Sequence, residues 1–267
     1  MTNREISYVL TFMVFLTFAS FIFAFFKMNP KTLDVILPYG MRIGITGDPS
    51  PPIVLPNKSN DWIIIQSVQG KDKKGNEAIF DFYTLFGVND DYVWEYGSWD
   101  WIEDISTNQK IRVDRFFNEK FRQEGIRERI TNALDVISVG TASCEGSNTK
   151  QEEDRSFMRA KSIRKYVKQI AKTTKGETLL LLLGQHKDDE CPQKSPNETR
   201  DQRSIIIIGV VFKNPDTNLR ESVENAMSNL VSNKNLKQDL ERYINNTNRS
   251  PLGSLDPKKY SQFDLKN

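Results

Sequence analysis

The apolar residues of this chain fall into two kinds of pattern: unbroken runs of strand length, and stripes spaced for helices. Residues 134–139 are mostly apolar, with the β-branched Val136, Ile137 and Val139, which suits a strand buried inside a mixed sheet. Gly140 and Gly146 then bracket a polar turn. Beyond it Phe157, Ala160, Ile163, Val167, Ile170 and Ala171 recur at steps of three and four, so a helix over 153–171 presents one face to a sheet. Residues 62–68 and 78–86 read as strands joined across a charged turn at 71–76, a hairpin. The runs TLLLLLG (178–184) and SIIIIGVVF (204–212) read as buried strands, separated by a polar loop at 186–200. Val113, Phe116, Phe117, Phe121, Ile126, Ile130 and Ala133 predict one helix over 113–134, interrupted in pattern by Gly125. The order is strand, helix, strand, helix, strand, then a returning strand. That order predicts an α+β domain with its helices covering one face of the sheet and its site at the strand ends.

The rest of the chain is organised around that domain. The sequence is uncharged from Ile6 through Phe26, a length that matches the roughly 30 Å core of a bilayer. A secretory signal is the main rival. Arg4 beside Glu5 makes a poor basic flank, however, and no small-x-small cleavage site follows Phe26. The expectation is an uncleaved single-pass anchor over 1–26. Arg4 on one side and Lys27 and Lys31 on the other leave its orientation undetermined by charge. Residues 27–75 are interrupted by prolines and read as a linker with short strands; 76–213 form the main domain. Residues 214–267 hold two short amphipathic helices, at 218–230 and 235–244, and a tail expected to be loosely ordered. Within the main domain, 90–104 is dense in Trp and Tyr and predicts a small core, a lid over the sheet, or a surface for carbohydrate or a partner.

Charge and cysteine content narrow the function classes. Of the 267 residues 27% are charged, yet the net charge is only +2, with no aromatic-studded basic tract, so nucleic acid is not expected as a partner. Two cysteines and the single His186 build no four-ligand zinc site, and no motif calls for a metal or cofactor. The apolar segment contains no Asp, Glu, Lys or Arg, and therefore lacks the ionisable group a membrane ion pathway requires.

Three motifs in sequence, GTASCEG (140–146), EEDRSFMRAKSI (152–163) and DQRSIIIIGV (201–210), resemble the OmpA-like C-terminal domain. That family includes peptidoglycan-associated lipoproteins and flagellar stator B subunits, and the likeness covers about residues 76–213. It implies a β-α-β-α-β sheet in the periplasm, held by an inner-membrane anchor, which binds the diaminopimelate of the peptidoglycan stem peptide without catalysis. In the family a turn aspartate holds the ligand's amine and a helix arginine its carboxylate, because a zwitterion needs an anion and a fork-shaped cation at fixed separation. Arg159 matches the helix arginine and Arg203 an arginine before the last strand. Ser143 stands where the turn aspartate is found, Gln202 replaces an arginine and Asp201 an asparagine. Serine cannot neutralise an ammonium, so Glu145 or Asp201 would have to supply the anion. The expected ligand set is Ser143, Glu145, Arg159, Asp201 and Arg203. The departures leave a second outcome open, a degenerate scaffold for an envelope protein, in a homodimer or a membrane complex.

Cys144 and Cys191 follow strands that would leave the sheet at the same end if those strands are parallel, so an oxidising compartment would join them in a disulfide. The same proximity admits a thiol hydrolase, with Cys144 served by His186 and Asp188 or Asp189, and a weaker serine version through Ser143. A stator-like subunit is a further alternative, with Glu5 as its nearest carboxylate.

Overall fold

A computed structural model describes residues 35–36, 42–43, 53–56, 61–87, 92–120, 124–170, 176–187, 191, 195–233 and 255–267. The chain divides into two compact units, 1–50 and 51–267. In the first, β1 (Val35–Ile36) pairs antiparallel with β2 (Arg42–Ile43). The expected anchor from Ile6 to Phe26 and the helix expected at 235–244 lie outside the described residues. Among the described residues no helix is long and apolar enough to cross a membrane.

The second unit is α+β. Its strands β3 (Ile53–Pro56), β4 (Asp61–Lys71) and β5 (Glu77–Gly87) form an antiparallel meander, with the hairpin turn where the charged residues 71–76 predict it. A small antiparallel sheet follows, made of β6 (Tyr92–Trp94), β7 (Trp101–Asp104) and β8 (Gln109–Arg112). Helices α1 (Val113–Lys120) and α2 (Glu124–Asn132) lead into β9 (Asp135–Ala142). The single helix expected over 113–134 is therefore two, and Gly125 lies in the first turn of the second. Helix α3 (Thr149–Ile170) crosses to β10 (Thr178–Gln185), which is parallel to β9. Next come β11 (Ile206–Lys213), helix α4 (Leu219–Ser232) and the short strand β12 (Asp264–Lys266). The large sheet has the order β12-β10-β9-β11-β5-β4-β3, with β11 antiparallel to both its neighbours.

The helical cover is two-sided, which corrects the one-faced arrangement expected. Alternation along each strand sends one set of side chains to each face. Ile137, Val139, Leu181, Ile206 and Ile208 meet Val223, Ala226, Met227 and Leu230 of α4. On the opposite face Val136, Ile205 and Ile207 meet Phe116 and Phe117 of α1, Ile163 and Val167 of α3, and Trp94 and Ile102 of the small sheet. Strands this apolar need a helix against each side, and the sequence beyond 214 supplies the second. The tail expected to be loose is also built into the fold at 255–267. Leu255 and Tyr260 are buried, and β12 pairs antiparallel with β10.

Two glycines set how closely the helices approach. A Cβ on Gly140 would lie 1.9 Å from the Ser156 carbonyl oxygen of α3, and one on Gly70 would lie 2.0 Å from that of Ser222 of α4. In each case the helix presents Ser-x-x-x-Ala, Ser156 with Ala160 or Ser222 with Ala226, to a bare stretch of strand. The Ser156 hydroxyl donates to the Gly140 carbonyl at 2.9 Å and accepts from the Gly184 amide at 3.1 Å, so it joins α3 to β9 and β10 together. Gly140→Ala must push α3 off the sheet, and we expect a loss of about 3 kcal/mol in denaturant unfolding.

The hairpin turn is tied to α4 through Asp72. This buried carboxylate accepts from the amides of Lys74 (2.9 Å), Asn76 (2.8 Å) and Asn218 (3.0 Å), and from Asn76 Nδ2 (3.0 Å). These donors, the Asn218 amide foremost, hold it down at about 2 against the opposing effect of burial. A pKa lower in the folded than in the unfolded chain stabilises above the ordinary carboxylate range and stops doing so below the folded value. Wild-type stability should thus fall between about pH 4 and pH 2. Asp72→Asn should be less stable at neutral pH and should lose less across that window, as denaturant midpoints at several pH values will show.

Candidate functional site

The C-terminal ends of the parallel pair β9 and β10, with the start of α3, make the place where an α/β-type sheet presents polar groups. Thr141, Ala142 and Ser143 leave β9 buried, and the turn 143–146 is held from three directions. Gln202 Oε1 accepts from the Cys144 amide at 3.0 Å. Gln185 Nε2, at the end of β10, donates to the carbonyls of Cys144 (3.1 Å) and Gly146 (2.7 Å). The third tie is covalent: Cys144 and Cys191 form a disulfide, with Cα atoms 5.7 Å apart across a separation of 47 residues. Closing a loop of that size is worth ~3–4 kcal/mol in the chain-entropy account. It also removes the thiol that a Cys144 nucleophile would need. Asp188 and Asp189 lie outside the described residues, and His186 packs edge-on against Tyr260 with ring centroids 5.2 Å apart.

Helix α3 begins with Asn148 as its cap, whose Oδ1 accepts from the amides of Lys150 (3.1 Å) and Gln151 (3.3 Å). Glu152, in the first turn, is buried and takes Arg155 as its ion-pair partner. Arg159 is thereby left free of the helix-start acids and turns inward. It is fully buried, and its guanidinium is shared among backbone carbonyls from separate segments. Nε donates to Ser98 O at 2.9 Å, Nη1 to Thr141 O at 2.9 Å and Nη2 to Glu95 O at 3.2 Å. The guanidinium also lies 5.7 Å from the centroid of the buried Trp94 ring. Burial, then the charges of Arg203 and Arg155, push Arg159 down to about 9, against the pull of Glu152 and Glu145. It remains a cation at neutral pH.

Arg203 repeats the arrangement from the 3-10 turn Arg200–Arg203. It is 1% exposed; Nη1 donates to Trp94 O at 2.8 Å and Nη2 to Pro196 O at 2.7 Å. Burial lowers it from its ordinary value, while Glu145, Glu103 and Glu95 raise it. Glu103 is mainly engaged by Arg200, 2.7 Å away.

Of the five expected ligand residues the structure brings Glu145, Arg159 and Arg203 into one electrostatic neighbourhood, and it places Ser143 buried in the adjoining turn. Both Glu145 carboxylate oxygens are buried, and among the described residues neither accepts a hydrogen bond. The charges of Asp201 and Arg159 both act on buried Tyr260, and the Asp201 carbonyl accepts from Ser204 Oγ at 2.8 Å. Among the described residues no group of three or more His, Cys, Asp or Glu is placed to hold a metal ion.

Sequence reasoning missed the partners of the two arginines. Besides the carbonyls of Thr141 and Pro196, they are those of Trp94 at the end of β6 and of Glu95 and Ser98 in the turn that follows, where Gly97 takes φ +71°. The aromatic density of 90–104 was the available signal, but a carbonyl carries no side-chain signature. Two of the three carbonyls on Arg159 come from this turn. No known protein family, curated protein or solved structure matches the chain.

Lysine cannot reach three carbonyls that a planar fork serves at once. Arg159→Lys should therefore destabilise the domain by about 2 kcal/mol and Arg159→Met by about 4, since unpartnered buried carbonyls cost roughly 1–3 kcal/mol each. Denaturant unfolding measures the loss.

Proposed function

We propose that this is a single-pass protein of the bacterial inner membrane whose periplasmic α+β domain is a divergent OmpA-like module. It acts as a non-catalytic binder of peptidoglycan or of an envelope partner. The observation that carries this reading is that Arg159, on the helix after the glycine-bracketed turn, and Arg203, before the last central strand, both donate to the backbone at 94–98, with the charge of Glu145 from the turn acting on both. An unpartnered carboxylate near two guanidinium groups is the charge pattern a zwitterionic stem-peptide residue requires. The strand–turn–helix–strand order in which the motifs are met supports the same reading. The Cys144–Cys191 disulfide suits an oxidising compartment such as the periplasm.

A second reading, the degenerate scaffold, is favoured by the carbonyls already seated on Arg159. There the family's pocket has become a fixed joint, and binding passes to a protein partner on the outer surface. Co-sedimentation of the full-length chain with diaminopimelate-type peptidoglycan separates the two. Under the wall-binding reading the wild type pellets with the wall and Glu145→Gln weakens it at least tenfold, the magnitude of one charge-assisted contact. A wild type that stays in the supernatant rejects wall binding and leaves the protein-partner reading.

A further inference from the structure

Two fully buried arginines are an unusual means of holding one surface turn. What that turn displays is a set of large aromatic side chains: Tyr96 is 46% exposed, Trp99 38% and Trp101 39%. Their backbone is fixed from beneath by Arg159 and Arg203, and from the side by Ser162 Oγ of α3, which donates to Trp99 O at 3.1 Å. Within the turn Ser98 Oγ accepts from the amides of Asp100 (3.0 Å) and Trp101 (3.1 Å). The aromatics are thus presented on a rigid base, and little further ordering is needed for them to make contact.

The surface of α3 next to them is basic. Phe157, half-exposed, lies under Lys161, whose Nζ is 5.9 Å from the ring centroid. Arg164, Lys165 and Lys168 continue along the helix, and among the described residues none of these four cations has an ion-pair partner. The Lys165 Nζ instead lies 5.5 Å from the Tyr166 ring, and Arg112 sits 5.8 Å from the centroid of Trp101. The acidic groups nearby are few. Asp114 is engaged by Arg112 at 3.3 Å, Glu95 by Lys110 at 2.8 Å, and Glu153 accepts from Ser261 at 3.3 Å. Among the described residues, Asp100 and Asp154 are left exposed against the four cations of α3.

We propose that this face, Tyr96, Trp99, Trp101 and Phe157 with Lys161, Arg164, Lys165 and Lys168, docks on an anionic bilayer surface. Trp and Tyr sit at the level of the headgroups, where one part of the ring is in an apolar and the other in a wet environment. Lysine and arginine stems lie along apolar surface while their charged ends meet lipid phosphates. A chain with an apolar anchor at 6–26 keeps its domain at high local concentration beside such a surface. The inference extends the anchored reading, and its test does not depend on wall binding.

The four tryptophans, Trp62, Trp94, Trp99 and Trp101, all lie outside residues 6–26. Quenching of tryptophan fluorescence by bromine on the lipid chains therefore reports the domain and not the anchor. The full-length chain is reconstituted into zwitterionic vesicles and into vesicles with anionic lipid, each with brominated chains. The expected result is quenching in anionic vesicles, lost at high salt and lost in K161E/K165E, with most of it absent in W99F/W101F. Each charge reversal should weaken docking by several-fold, following the contribution of one basic residue near an anionic surface. Quenching that is equal in the two lipids, or that survives in W99F/W101F, overturns the proposal. So does a wild type that is unquenched in both vesicles but changes its emission on adding soluble muropeptides, which assigns the face to a glycan. Salt dependence of the unmodified chain guards against a variant that fails to fold.

Discussion

The absence of a side chain at Gly140 sets the geometry on which the site depends. It lets α3 come down until the Ser156 carbonyl stands where a Cβ would be, and Ser156 locks that approach with hydrogen bonds to β9 and β10. One helical turn further on, Arg159 consequently emerges at the strand end with no route to solvent. A guanidinium in that position has to find acceptors or impose a large desolvation cost. The fold answers with carbonyls from β9 and from the turn between β6 and β7. The packing of one strand against one helix thus dictates how a distant loop is held.

Burying cations to organise backbone differs from burying ion pairs. A carboxylate partner would fix one point, whereas carbonyls bring whole segments with them. Arg159 and Arg203 between them collect the chain at 94–98, 141 and 196, and the Cys144–Cys191 bond joins two of the same regions covalently. Glu145 is the exception in this assembly: its charge supports both arginines, while its oxygens stay without hydrogen-bond donors among the described residues. Among the described residues it shares that unfilled bonding capacity with Arg203 Nε, which is likewise buried without an acceptor.

The strands were legible in the sequence because buried strands are simply apolar runs. TLLLLLG and SIIIIGVVF need no partner to be recognised, and the charged turn at 71–76 marks its hairpin unaided. The parallel relation of β9 and β10, on which the cysteine pairing depended, followed from the crossover helix between them. What could not be read were relations without a local signature. Nothing in the sequence of α4 says which face of the sheet it covers. The strand Asp264–Lys266 is too short and polar to stand out. The motif residues Arg159 and Arg203 were identifiable, but their acceptors were not, since any residue carries a carbonyl. Asp201 was grouped with them as the replacement for the family's asparagine, and the 3-10 turn that carries it also carries Arg203.

The short strand at 264–266 has a consequence for how the protein is made. β10, with six consecutive buried residues from Leu179 to Gly184, has β9 on one side and on the other only β12. During synthesis that second edge stays open until β12 has been translated, so a strongly apolar strand passes through a period with its hydrogen-bonding groups unpaired. Exposed apolar edges of this kind seed intermolecular pairing. β12, although slight, therefore serves as an aggregation guard, and the quality of folding in the cell turns on how quickly a three-residue strand finds its place.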